Sequence, residues 1–169
     1  DNIFMGYDAG GGTWTTGTSA NNVAIGNYTM DAAMNACNYS VAIGHGALSA
    51  VTVGDHSVCI GYVAGASIVT GQRNIAIGSQ ALTAAAGDCQ DNLAIGYQAM
   101  DNLNHNSSVR NIAIGRDAGG AMGTLAGNTD NIFIGYSAGS GTWETAVSTH
   151  NVAIGGSVMD AAMNGALYN

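Results

Sequence analysis

The stretch Asn92-Leu93-Ala94-Ile95-Gly96-Tyr97-Gln98-Ala99-Met100 opens with a unit that the chain repeats throughout its length. The unit is polar, apolar, small, apolar, glycine. It occurs as Asn2-Ile3-Phe4-Met5-Gly6, Asn22-Val23-Ala24-Ile25-Gly26, Ser40-Val41-Ala42-Ile43-Gly44 and Ser57-Val58-Cys59-Ile60-Gly61. It continues through Asn74-Ile75-Ala76-Ile77-Gly78, the copy ending at Gly96, and Asn111-Ile112-Ala113-Ile114-Gly115. The last two are Asn131-Ile132-Phe133-Ile134-Gly135 and Asn151-Val152-Ala153-Ile154-Gly155. The nine glycines are 20, 18, 17, 17, 18, 19, 20 and 20 residues apart. A fixed short period is the signature of a repeat architecture and takes precedence over any local element.

A longer period lies above the short one. Residues 1–40 match 130–169 at an offset of 129, with 25 of 40 positions identical. Seven short units therefore make one long one, and residues 1–169 read as a single repeat array, expected to be a segment of a longer fibre. Within each unit, apolar–small–apolar alternation fits a short strand, which places the two large residues on one face and the small one on the other. The glycine that follows suits a sharp turn with positive φ. A leading Asn or Ser suits hydrogen bonding to turn backbone. Units this short bury a core only by stacking. Helical solenoids need roughly 33–47 residues per unit, so the expected fold is all-β: a parallel β-solenoid of about nine coils. Residues 27–38 and 159–164 are the two tracts in which a helical turn competes.

Composition removes several classes. Hydrophobic residues make up 47% and charged residues 8%, against roughly 25% charged in ordinary soluble domains. There is no lysine and no proline among 26 glycines, which excludes collagen and argues against a charged disordered tail. No apolar run approaches the length that inserts in a membrane. The net charge of −8, with Arg73, Arg110 and Arg116 as the only basic side chains besides four histidines, argues against nucleic-acid partners. Cys37, Cys59 and Cys89 form neither a CxxC pair nor an even framework.

Assembly follows from the two strand faces. If the large residues fill the inside of each coil, the small face (Ala24, Ala42, Cys59, Ala76, Ala94, Ala113 and Ala153, with Phe4 and Phe133 as exceptions) forms an apolar stripe that needs a second cover, naturally a sister chain. The alternative is that the small face lines a narrow interior and the chain stands alone.

The motif Asn/Ser-Val/Ile-Ala-Ile-Gly-x-x-Ala/Ser resembles the head repeats of trimeric autotransporter adhesins, the YadA-like left-handed parallel β-roll. The copy at residues 92–100 is still more similar to the repeats of phage tail fibres and tailspikes, and the spacing of 17–20 residues, longer than the tight adhesin repeat, favours the fibre type. The resemblance spans essentially the whole chain. It implies a homotrimer of β-rolls, in a virion tail fibre or on a cell surface. Its implied role is a non-enzymatic structural and adhesive shaft presenting a receptor-binding tip for host attachment. Its partners would be sister chains, adjoining fibre segments and a host-surface glycan or protein receptor. The alternatives are the head of a bacterial trimeric adhesin and, less favoured, a polysaccharide-cleaving tailspike.

Individual motifs add little chemistry. Gly135-Tyr136-Ser137-Ala138-Gly139 matches GxSxG, but sister coils put Asp8, Val63 and Asp117 at the serine's place, so it reads as a turn. Gly10-Gly11-Gly12 lacks the Lys-Ser/Thr of a phosphate cradle. His45, His56, His105 and His150 show no ligand spacing, and no metal or cofactor is expected. Asp8 and Asp117 read as solvated turn carboxylates. A tailspike would need two carboxylates over a groove, and Glu144 is the only glutamate. Candidate receptor or glycan contacts are the aromatic side chains Tyr7, Tyr62, Tyr97, Tyr136, Trp14 and Trp143. The tyrosines skip coils, so no unbroken ladder is expected. The motif glycines Gly6, Gly26, Gly44, Gly61, Gly78, Gly96, Gly115, Gly135 and Gly155 are assigned structural turns.

Overall fold

The computed structural model describes residues 1–14, 17–85, 87–103, 107–120, 122, 127–142 and 147–161. Its nine strands are the nine motif cores: β1 (Ile3–Met5), β2 (Val23–Ile25), β3 (Val41–Ile43), β4 (Val58–Ile60), β5 (Ile75–Ile77), β6 (Leu93–Ile95), β7 (Ile112–Ile114), β8 (Ile132–Ile134) and β9 (Val152–Ile154). They form one parallel sheet in sequence order. Register is residue for residue, so Ala94 pairs with Ala113 and Ala113 with Phe133. With about 4.8 Å between strands, β1 and β9 lie roughly 40 Å apart. The fold is a β-solenoid with one strand per winding. The described residues contain no helix: 27–38 run as turns and bends, and so do 159–161, while 162–164 lie outside the described residues. Residues 27–38 stay non-helical because their amides bond across windings instead of along the chain, as when Met30 N donates to Ala47 O at 3.1 Å and Asn35 N to Thr52 O at 2.7 Å.

Two ladders hold the windings in step. The first is polar and buried. The amide of each leading residue donates to the side chain one winding earlier: Asn111 N to Asn92 Oδ1 at 3.0 Å, Asn131 N to Asn111 Oδ1 at 3.1 Å, and Asn74 N to Ser57 Oγ at 3.2 Å. The asparagine Nδ2 reaches the end of its own winding, Asn111 to Asn128 O at 2.8 Å and Asn131 to Ser148 O at 2.9 Å. The second ladder is glycine. Motif glycines have φ between 129° and 141°, and a Cβ on Gly26 would lie 2.7 Å from the Gly44 carbonyl. Backbones pass too closely for any side chain there.

The strand faces are the reverse of the first expectation. The small central residue points inward: Ala24, Ala42, Cys59, Ala76, Ala94, Ala113 and Phe133 are all fully buried. The flanking Val, Ile and Leu point outward and remain partly exposed. The physical reason is volume. The interior is already occupied by Met30, Met34, Leu48, Ile68, Leu82, Met100, Leu103 and Met122 from the return segments. That leaves room for little more than a methyl group beneath the strand.

The position six residues after the central one shows the compensation. Ala24, Ala42, Ala76 and Ala94 are followed there by Met30, Leu48, Leu82 and Met100, all buried. The larger Phe4, Cys59 and Phe133 are followed by Gly10, Gly65 and Gly139. A Cβ on Gly139 would lie 2.6 Å from Phe133 Cε1, and one on Gly65 2.5 Å from Cys59 Sγ. Ala113 with Gly119 departs from the pattern because Met122 and the Phe133 ring of the next winding take that space, 3.2 and 3.3 Å from the position of a Cβ. Met30, Leu48, Leu82 and Met100 adopt φ of 48° to 53°, a left-handed conformation that costs roughly 1–2 kcal/mol for a side-chain-bearing residue. Burial of each large side chain, worth about 1.5–3 kcal/mol, offsets it.

Phe133→Ala is expected to destabilise the chain by about 3–5 kcal/mol through the cavity it leaves. Gly139→Met should also destabilise, by collision with the ring. The double variant recreates the Ala94/Met100 combination and should recover most of the loss in urea or thermal unfolding; strict additivity of the two penalties would refute the volume exchange.

Candidate binding surface

Three side-chain columns run along the outside. The first is the apolar stripe of strand residues, in two files: Ile3 to Val152 and Met5 to Ile154. Its ends are the most open, with Met5 62% and Ile154 66% exposed, while Ile75 and Ile77 in the middle remain 37% and 36% exposed. Stacked side chains shield one another along each file. At roughly 40 Å by 10 Å, the stripe covers on the order of 400 Å², within the size range of the largest patches on monomers.

The second column follows the motif glycines. Tyr7 meets Tyr28 at a ring-centroid distance of 5.4 Å, Tyr28 meets His45 at 5.5 Å, and His45 meets Tyr62 at 5.6 Å. Further along, the Arg116 guanidinium lies 5.6 Å from the Tyr97 ring centroid and 5.8 Å from that of Tyr136. All five tyrosines are exposed, from 40% at Tyr28 to 68% at Tyr7. The four motif tyrosines therefore do share an edge of the molecule, and the skipped coils are partly filled. Tyr28, His45 and Arg116 fill the gaps and were not among the expected contacts. Tyr28 escaped because it sits two residues after its glycine, not one. His45 and Arg116 were visible in the repeat frame, directly after Gly44 and Gly115.

Trp14 has a different setting. It is exposed at the surface, its Nε1 donates to Gly10 O at 3.1 Å, and its ring meets Phe4 edge-on at 5.5 Å. This tryptophan closes over the Phe4/Gly10 site of the first winding. Trp143, His105 and Glu144 lie outside the described residues.

The third column precedes each motif: Asn21, Tyr39, His56, Arg73, Asp91, Arg110, Asp130 and His150, all with φ of 55° to 62°. Tyr39 and His56 stack at 5.1 Å. From Arg73 onward the charges alternate. Arg73 donates from Nε and Nη2 to Asp91 at 2.6 and 3.0 Å, and Arg110 to Asp130 at 2.7 and 2.8 Å. His150 Nε2 is 3.7 Å from Asp130. Hydrogen bonding from Arg73 holds the Asp91 carboxyl below its usual range, and Arg110 does the same for Asp130. Burial, with the Asp117 charge added, pushes the Asp101 carboxyl up.

The remaining motifs are structural where described. Ser137 occupies a left-handed turn, φ 50°, as do Asp8, Val63 and Asp117 in sister windings, and its amide donates to Arg116 O at 2.9 Å. Gly10 and Gly12 pack against Phe4 and the Ala32 backbone. Burial raises the Cys37 and Cys89 thiols to about 11 and Cys59 to about 12, which disfavours thiolate chemistry. Among the described residues no three metal-ligating side chains come together, and no helix is long and apolar enough to cross a membrane. Comparison with family models, curated proteins and solved structures returns no match for this chain.

The two kinds of carboxylate give opposite pH dependences. A depressed carboxyl stabilises the fold above its unfolded value, near 4, and that contribution is lost as pH falls through the folded value. A raised one is relatively destabilising once ionised. Asp91→Asn should therefore lower the melting temperature at pH 7 and lose that effect in acid. Asp101→Asn should raise it at pH 7 and be neutral below about pH 4. Melting curves across pH 3–7 test both signs.

Proposed function

We propose that this chain is a structural and adhesive fibre segment that assembles as a homotrimer along its Val/Ile stripe, in a phage tail fibre shaft or a related extracellular appendage. The observation that carries the reading is the stripe itself. Two unbroken files of β-branched and aliphatic residues run from β1 to β9 on a rod with no charge among them. Wrapping such files around a common axis removes them from water, and the straight in-register stack lets every rung meet its counterpart. A rod of this kind transmits load through backbone ladders and holds a receptor-binding tip away from the particle. The resemblance of the motif to fibre and adhesin repeats supports the same assignment.

The head of a bacterial trimeric adhesin is the second reading, and the exposed tyrosine column favours it, since such a head binds surfaces along its own flank. A catalytic tailspike fits less well. Asp101 and Asp117 sense each other's charge, but they sit at surface turns with no cavity found beside them among the described residues.

Native mass spectrometry or sedimentation of the purified chain should give three times the 16.9 kDa protomer mass. Ile95→Glu with Ile114→Glu should convert it to protomers that keep their β-sheet circular dichroism. A wild-type chain that stays monomeric at micromolar concentration would overturn the reading.

A further inference from the structure

We propose that Tyr97, Arg116 and Tyr136 form a binding site for a carboxylated sugar: an oligosaccharide carrying a single acidic residue. The proposal deepens the adhesive part of the reading above and rests on it.

Arg116 differs from the other two arginines in what its guanidinium has left to offer. Arg73 spends its nitrogens on Asp91, Gln72 and Gln90. Arg110 grips Asp130 through both Nε and Nη2. Arg116 makes one side-chain hydrogen bond, from Nε to Asp117 Oδ2 at 3.1 Å. Among the described residues its Nη1 and Nη2 edge meets no acceptor, and its side chain is the most exposed of the three at 64%. The guanidinium sits between two rings, its central carbon 5.6 Å from the Tyr97 centroid and 5.8 Å from that of Tyr136, and Asp117 holds its Nε. With Nε engaged and a ring on either side, the outer Nη1/Nη2 fork is left to take a carboxylate through two parallel hydrogen bonds.

The fold does not require a cation there. Sister windings put Asn27, Ser79 and Gly156 directly after their glycines with the same backbone turn. Tyr97 and Tyr136 stand one winding to either side, 44% and 56% exposed, and so about 10 Å apart along the axis. That span suits a short oligosaccharide whose acidic residue sits on Arg116 while neighbouring pyranose rings lie against tyrosine. Amphipathic rings of this kind serve a ligand with apolar C–H faces and polar edges. The net charge of −8 opposes a polyanion at long range, which limits the ligand to an isolated carboxylate on an otherwise neutral sugar.

Isothermal titration of the assembled protein with 3′-sialyllactose, a glucuronate-terminated trisaccharide and lactose tests the site. At least one acidic probe should bind about tenfold more tightly than lactose, and Arg116→Gln should abolish that difference. Tyr136→Ala should weaken both acidic and neutral probes. Equal binding of the two acidic probes assigns the recognition to the carboxylate; a preference for one identifies the sugar. Equal affinity for lactose and the acidic probes, no binding of any probe, or binding unchanged in Arg116→Gln overturns the proposal. A change of assembly mass in Arg116→Gln also overturns it, by assigning the arginine to a contact between chains. Loss of the glycan result with the trimer mass intact leaves the fibre reading standing.

Discussion

Every winding depends on the buried polar side chain that begins it. A backbone amide inside a solenoid is removed from water and must find an acceptor, or cost about 1–3 kcal/mol. Here the acceptor is the Asn or Ser side chain one winding below, as with Asn131 N on Asn111 Oδ1 at 3.1 Å. The asparagine Nδ2 then secures the carbonyl that ends its own loop, as Asn92 does with Ser108 O at 3.0 Å. One residue type thus closes a winding and couples it to the next. The loops between motifs vary in length by three residues, yet strand register never shifts. Length differences are absorbed in the return segments, because the polar ladder and the glycine ladder pin the two ends of every strand.

The narrow interior decides which way the strands face. A sheet of alternating large and small residues can satisfy its pattern with either face inward. The choice is settled by the side chains on the opposite wall. Leu48, Ile68, Leu82 and Met100 fill the lumen, so the strand offers Ala, and a ring is admitted only where Gly10 or Gly139 yields the space. Because the interior accepts only so much volume, the larger strand residues are displaced outward. The apolar stripe is therefore a consequence of a filled core, and it stays partly exposed along the strands.

The period, the parallel strands and the turn glycines were legible in the sequence because each leaves an identical mark in nine places. Strand facing was not, because Met30 or Leu48 reads as loop until its left-handed φ and burial are seen. Alternation alone carries no sign telling inside from outside. Residues 27–38 read as a possible helical turn because their composition suits one, but their amides are claimed by the adjacent winding. The tyrosine column was legible only in part. Tyr7, Tyr62, Tyr97 and Tyr136 follow their glycines directly, whereas Tyr28 joins them from the next position along. Arg116 could have been found by aligning the residue after each glycine and asking why one of three arginines stands among tyrosines.

That alignment separates the demands of the fold from the freedom of the surface. Inside, the repeated positions admit Asn or Ser, a small residue or a ring opposite glycine, and a large aliphatic. Outside, the residue after the glycine is Tyr7, Asn27, His45, Tyr62, Ser79, Tyr97, Arg116, Tyr136 and Gly156 in turn. The backbone at that turn is the same for a glycine, an arginine or an aromatic ring, so folding places almost no demand on the side chain. The column before each motif is equally permissive, taking Tyr39, Arg73 and Asp130 at nearly one φ. Such a scaffold can change what it displays without altering how it stacks. A cation between two exposed rings, as at Arg116 with Tyr97 and Tyr136, is thus an arrangement that the stack accommodates without depending on it.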